Sequence, residues 1–180
     1  MLYVLDANVL IRAHADYYPI DRVPEFWDWL LHHSAAGTVK IPQEILEELD
    51  GGNPEGDRLV AFLRPAAIRR TLRLQEEPNP DLLANILEVA YGNPNDEELE
   101  EIGRDPFLIA YAATNLANRT VVSAEVSKPG QRGKKRKVPD ACADVNVRCI
   151  GPFELFRELG FSTNWKVTLG LQVAPNAAAD

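Results

Sequence analysis

The opening segment Leu2-Tyr3-Val4-Leu5-Asp6-Ala7-Asn8-Val9-Leu10-Ile11 limits what this chain can fold into more than any other. Leu2 to Leu5 is short and apolar, the pattern of a strand buried on both faces of a parallel sheet. Asp6 then stands at the carboxyl end of that strand, where open α/β sheets place their ligands. A carboxylate there is poorly solvated unless it is paired or bound to a cation. Asn8 is placed to cap a helix running from Val9 to Ala15. The plainer reading is that Asp6 only caps that helix.

The rest of the chain repeats the alternation of short strands and helices. Phe26, Trp27, Leu30 and Leu31 fall at helical spacing between an entry at Asp21–Pro24 and a stop at Gly37. Val39 to Ile41 reads as a strand, and Pro42 opens a helix reaching about Leu49, ended by Gly51-Gly52-Asn53-Pro54. Residues 56 to 64 read as a helix; 69 to 74 is either a strand or an extended connection. Helices follow from Pro78–Asp81 to about Tyr91, over the acid-rich 96–102, and from Asp105-Pro106 into the apolar run Phe107–Leu116. Thr120 to Ser123 reads as a buried strand, Val138-Pro139-Asp140 as a helix start, Val147 to Ile150 as the last strand and Phe153 to Leu159 as the last helix. This alternation implies an α/β layered sheet. At 180 residues, the chain fits one domain over 1–160, followed by a C-terminal tail over 161–180 with a mobile end.

Composition excludes several classes. No apolar run approaches the roughly 20 residues of a membrane span, and no basic segment precedes the first apolar stretch as in a signal peptide. Cys142 and Cys149 make neither a disulfide framework nor a zinc cluster. They read as reduced, buried thiols of a cytoplasmic protein. The formal net charge of −8 opposes indiscriminate binding to phosphate backbones. Yet residues 128 to 137 hold Lys128, Arg132, Lys134, Lys135, Arg136 and Lys137, six of the 19 basic residues, with no acid among them. One basic loop on an acidic body is a candidate contact for a polyanion; its plainer reading is a solvated loop.

Five acids stand at the ends of elements. Asp6 follows the first strand, Glu48 lies in the helix after Pro42, Asp105 heads the apolar helix, Glu125 follows the strand Val121-Val122-Ser123, and Asp140 heads the helix after the basic loop. Singly, each has a structural explanation, as a helix cap or a solvated surface residue. Together they suggest convergence, and convergent carboxylates stay ionised only around a cation. Oxygen ligands select Mg²⁺ or Mn²⁺ over zinc. His14, His32 and His33 have no ligand spacing with cysteine.

These pieces resemble the PIN domain family of metal-dependent ribonucleases, and most of all a PIN-like branch described only as a domain of unknown function. The resemblance rests on YVLDANVLI at 3–11, IPQEILEEL at 41–49, DPFLIAYA at 105–112, TVVSAE at 120–125 and KVPDACADVNVRCI at 137–150, in the family's order. It implies a three-layer, Rossmann-like sandwich of helices about a parallel sheet of four or five strands. It implies Mg²⁺- or Mn²⁺-dependent hydrolysis of RNA phosphodiesters. It also suggests the toxin of a toxin–antitoxin pair as one setting, with an antitoxin or a second copy of the chain as candidate protein partners. Position by position, Asp6, Glu48 and Asp105 match the family's first three acids, Glu48 better than Glu47. The fourth is Glu125, in Ser123-Ala124-Glu125, where aspartate is commoner; Asp140 could replace or assist it. Asn8 takes the place of a polar residue that orients the first aspartate.

The expected activity is therefore endoribonuclease action. Asp6 and Asp105 hold the metal most directly, Glu48 ligates it or positions water, Glu125 and Asp140 complete the set, and the basic loop grips RNA phosphates. A second reading, drawn from the glutamate at 125, is a catalytically weakened protein that binds nucleic acid or a protein partner. A phosphatase of the haloacid-dehalogenase kind requires a second aspartate two residues after the first, and position 8 is asparagine.

Overall fold

The computed structural model describes residues 1–51 and 56–171. Four strands, β1 (Leu2–Leu5), β2 (Val39–Lys40), β3 (Arg119–Val122) and β4 (Cys149–Ile150), form one sheet in the order β2-β1-β3-β4, and every pairing is parallel. The helices are α1 (Ala7–Arg12), α2 (Pro24–Ala35), α3 (Gln43–Glu48), α4 (Arg58–Leu63), α5 (Ala66–Leu72), α6 (Pro80–Val89), α7 (Asp96–Ile102), α8 (Asp105–Ala113), α9 (Val138–Asp144), α10 (Pro152–Glu158) and α11 (Trp165–Thr168). The architecture is α/β, with the helices layered about a Rossmann-like parallel sheet.

Burial explains the arrangement. The last three residues of both β1 and β3 are buried, as central parallel strands require. Helix α8 is apolar all round, with Leu108 to Ala112 buried, and it packs on β1, β3, α6 and α9. Helix α2 buries Phe26, Trp27, Trp29 and Leu30. Phe26 stacks on Tyr18 with ring centroids 4.6 Å apart, and Phe156 and Phe161 meet it edge-on.

Several elements differ from the sequence expectation. The segment 69–74 is neither strand nor plain connection. It finishes α5 and then makes a single parallel bridge, with Leu74 N–H donating to Ile41 O at 2.8 Å. The first helix starts at Ala7, two residues early, because Asp6 and not Asn8 is its N-cap. It then widens into a π-helical turn over Ala13–Tyr17. Residues 161–171, expected as part of a tail, are folded: Trp165 is buried and its indole N–H donates to Glu25 O at 2.9 Å, while Lys166 pairs with Asp28. The expected mobile end at 172–180 and the break at Gly52-Asn53-Pro54 lie outside the described residues. Among those described, no helix is long and apolar enough to cross a membrane.

The sheet order positions the site. From β1 the chain crosses to β2 on one side, and β3 returns on the other. The strand order therefore reverses between β1 and β3, which opens a crevice at their carboxyl ends. Leu5 is in register with Val122, so the next residues, Asp6 and Ser123, leave the sheet side by side.

Candidate active site

Asp6 and Ser123 are buried to 5% and 2% residual exposure, and Ser123 Oγ donates to Asp6 Oδ2 at 2.7 Å. Asn8 ties the two strand ends together. Its amide donates to Asp6 Oδ2 and, at 3.2 Å, to Ser123 Oγ, while its Oδ1 accepts from Ala124 N–H at 2.7 Å. The Asp6 N-cap bond to Asn8 N–H is long, 3.4 Å. Burial nevertheless outweighs these donors and raises the Asp6 pKa, with the Glu125 charge acting in the same direction.

Asp105 is the first residue of α8, ahead of Pro106, and no side-chain hydrogen bond caps this helix. The capping explanation for Asp105 is thereby removed. Its carboxyl is pushed up to about 8, first by burial and then by the charges of Asp6, Glu125 and Glu48, with Lys137 opposing. Glu48, at the end of α3, is raised by burial and by Asp6, against the backbone N–H of Arg104. Its neighbour Glu47 faces solvent, bonded to Gln43 Nε2 at 3.0 Å and 3.9 Å from Arg104. Glu125 accepts from Lys137 Nζ at 2.5 Å and from Val138 N–H at 2.8 Å.

The charges of Asp6, Glu125 and Glu48 thus bear on Asp105 across the crevice. Asp140, expected as a further ligand, is not brought to them. Its oxygens accept from Ser127 Oγ at 2.5 Å and Lys128 N–H at 2.7 Å. Burial opposes its charge, but these donors and the guanidinium groups of Arg136 and Arg132 hold its pKa below the ordinary carboxylate value. Its role is to fold the basic loop back on α9.

The loop itself is neither wholly solvated nor a cluster of six free cations. Arg136 is buried and grips Asp144 through two hydrogen bonds of 2.9 and 2.8 Å. Lys134 pairs with Glu101 at 2.6 Å and Lys137 with Glu125. A 3₁₀ turn over Gly133–Lys135 packs on α7. Gly133 has φ +55°, which favours glycine, and a Cβ there would lie 3.9 Å from Tyr91 O. Lys128, Arg132 and Lys135 remain exposed on its surface.

Sequence reasoning missed Tyr91 altogether. It follows α6, is 3% exposed, and its hydroxyl oxygen has no hydrogen-bond partner. The charges acting on it are those of Asp105, Cys142, Glu125 and Asp6. Nothing in its local sequence marks it, because it joins the site only when α6 packs on α8.

The four acids supply hard oxygen donors, with the charges of Lys137 and Arg104 acting on them among the described residues. That set suits Mg²⁺ or Mn²⁺ better than a softer metal. Cys142 is not a competing ligand: burial, with Cys149 acting in the same direction, pushes its thiol well up. Among the described residues no three such groups are gathered as a ready ligand set, since Glu125 is turned to Lys137 and Glu48 to Arg104 N–H.

Fold and crevice define an α/β protein with an acidic cleft at the switch point of a parallel sheet. The chain belongs to the family described as a domain of unknown function, DUF4411, whose profile matches residues 3–163. No curated protein and no solved structure matches it.

Proposed function

We propose that this chain is a PIN-type endoribonuclease, a phosphodiesterase dependent on Mg²⁺ or Mn²⁺. The observation that carries this reading is the Asp105 carboxyl, held at about 8 by burial and three neighbouring acids in the crevice between β1 and β3. Such a cluster carries negative charge that the neighbouring cations, Lys137 and Arg104, do not balance. Asp6, Asp105 and Glu48 would hold the divalent ion, with Glu125 joining them when released from Lys137. A bound ion supplies charge neutralisation at a phosphate and a more acidic water.

The protein groups have their own parts. Ser123 and Asn8 hold Asp6 in one orientation, with its Oδ2 already donated to by both. Glu48, exposed to solvent and raised in pKa, is suited to accept a proton from water at the cleft. Lys128, Arg132 and Lys135 offer phosphate contacts beside it. RNA is the substrate the basic loop and the family resemblance favour, and an antitoxin partner is the corresponding setting.

The test is cleavage of a labelled single-stranded RNA by purified protein with Mn²⁺ and with EDTA. Cleavage with Mn²⁺ that is lost in EDTA, in Asp6→Asn and in Asp105→Asn supports the reading. Metal-independent cleavage, or none, overturns it. One observation favours the second reading, a weakened nucleic-acid- or partner-binding protein: Glu125 is already neutralised by Lys137. Binding of RNA without cleavage under every divalent ion would favour it.

A further inference from the structure

An apolar groove of about 530 Å³ opens beside the acidic cleft. Its size falls among small-molecule pockets, which run from about 300 to 1,000 Å³. Leu83 and Leu87 of α6, Leu99 of α7, and Pro106 and Phe107 of α8 line it. Solvent reaches it: Leu83, Leu87, Leu99 and Phe107 are each partly exposed, and Glu100, Gly103 and Arg104 at its edge are exposed. Chain connectivity and one close approach fix its place. Gly103 and Arg104 line the groove and directly precede Asp105. Gly103 also faces the cleft, since a Cβ there would lie 3.7 Å from Glu48 Oε1. The turn between α7 and α8 is therefore a wall shared by the groove and the acids, and glycine keeps that wall one backbone thick.

The occupant follows from that shared wall, on the phosphodiester chemistry proposed above. A nucleotide whose phosphate meets the acids carries its base one ribose away, and the groove is an open apolar surface within that reach. Its edge also has the chemistry of base recognition. The Arg104 guanidinium lies over the Phe107 ring, 5.9 Å from the centroid. Aromatic rings and guanidinium planes are the surfaces on which unpaired bases stack. Arg104 retains donors for a ligand, because its ion-pair partner Glu47 is 3.9 Å away. Glu100, exposed on the same edge, supplies an acceptor. We propose that this groove is a nucleobase pocket: the base of the nucleotide held at the acidic cleft enters between α6, α7 and α8, stacks on Phe107 and turns its polar edge to Arg104 and Glu100.

The experiment is calorimetric titration in MnCl₂ with ribose 5-phosphate and with the 5′-monophosphates of adenosine, guanosine, cytidine and uridine. Wild type, Phe107→Leu and Leu83→Trp are compared, each also by thermal unfolding and sedimentation velocity. At least one nucleotide should bind wild type roughly tenfold more tightly than ribose 5-phosphate, the worth of one base stacked on an aromatic ring. Phe107→Leu keeps an apolar wall without the ring, and Leu83→Trp fills the groove. Both should melt close to wild type, hold ribose 5-phosphate as wild type does, and lose most of the tenfold gain. Mn²⁺ binding by wild type with no gain from any base over ribose 5-phosphate would overturn the inference alone, whether or not the variants fold. A gain that both folded variants keep would do the same. So would a wild-type dimer that either variant dissociates, which would give the groove to a second copy of the chain. A wild type that does not bind Mn²⁺ overturns the phosphodiesterase reading and this inference with it.

Discussion

Replacing Asp105 with asparagine should stabilise the metal-free protein at neutral to alkaline pH. In the unfolded chain the carboxyl ionises near 3.8; in the cleft it does so at about 8. Below 3.8 both states carry the proton and nothing is lost. Between these values the unfolded state releases a proton that the folded state retains, so stability falls as pH rises, by up to about 1.4 kcal/mol per pH unit. The fall ends once the folded carboxyl also ionises. Taken at full value the loss is about 6 kcal/mol, at about 1.4 kcal/mol per pH unit. This figure is an upper bound, since water in the half-open cleft screens the charges. Asparagine keeps the shape and carries no proton to lose. Urea unfolding in EDTA should therefore show the variant close to wild type at about pH 3.5 and more stable by several kcal/mol, up to about 5, at pH 8, a midpoint shift of more than about 1 M. In saturating Mn²⁺ the order should reverse, since wild type gains a ligand-linked stabilisation that the variant has lost. Equal or lower stability of the variant at pH 8, with no pH trend, would refute the reasoning.

Other outcomes follow from the same geometry. Glu48→Gln should cost at least tenfold more cleavage activity than Glu47→Gln, because Glu48 faces Asp6 and Glu47 faces Gln43 and solvent; rates of RNA cleavage in Mn²⁺ decide, and the reverse ranking would exclude Glu48. Changing Lys128, Arg132 and Lys135 together to alanine should leave the melting temperature unchanged and flatten the salt dependence of RNA binding by a slope of roughly two to three. An unchanged slope would remove the loop surface from the RNA path. Arg136→Ala should lower stability by about 1–3 kcal/mol by chemical denaturation, since it removes the buried guanidinium's hydrogen bonds to the solvent-exposed Asp144; a neutral result would show that the loop anchor is unnecessary.

The parts of the fold that were legible in the sequence are those set by local pattern. Leu2–Leu5 and the apolar stretch ending at Val122 read as buried strands because both faces are apolar, and the acid after each falls at the strand end by chain connectivity. Asp105 was legible because Pro106 and an apolar run mark a buried helix start. What was not legible depends on long-range approach. Asp140 looked like a ligand because, like Asp105, it heads a helix beside a proline; only the return of Ser127 and Lys128 shows where its oxygens go. The basic run looked uniformly free because Asp144, Glu101 and Glu125, which neutralise three of its cations, come from other segments or from a helical turn beyond it. Residues 69–74 were ambiguous because α5 ends where a single bridge to Ile41 begins. Tyr91 gave no signal, since a tyrosine at the end of an amphipathic helix is ordinary until the tertiary packing removes every partner from its hydroxyl.

The most direct test of the acidic cleft as a divalent-cation site is calorimetric titration of wild-type protein with Mn²⁺ at pH 7 in two buffers of different ionisation enthalpy. With the Asp105 carboxyl at about 8, most molecules carry a proton there at pH 7, and a cation must displace it. Binding should release close to one proton at pH 7, a release that falls toward none above pH 9, and binding should be lost in both Asp6→Asn and Asp105→Asn. No Mn²⁺ binding, or binding with no proton release that survives both substitutions, would contradict it.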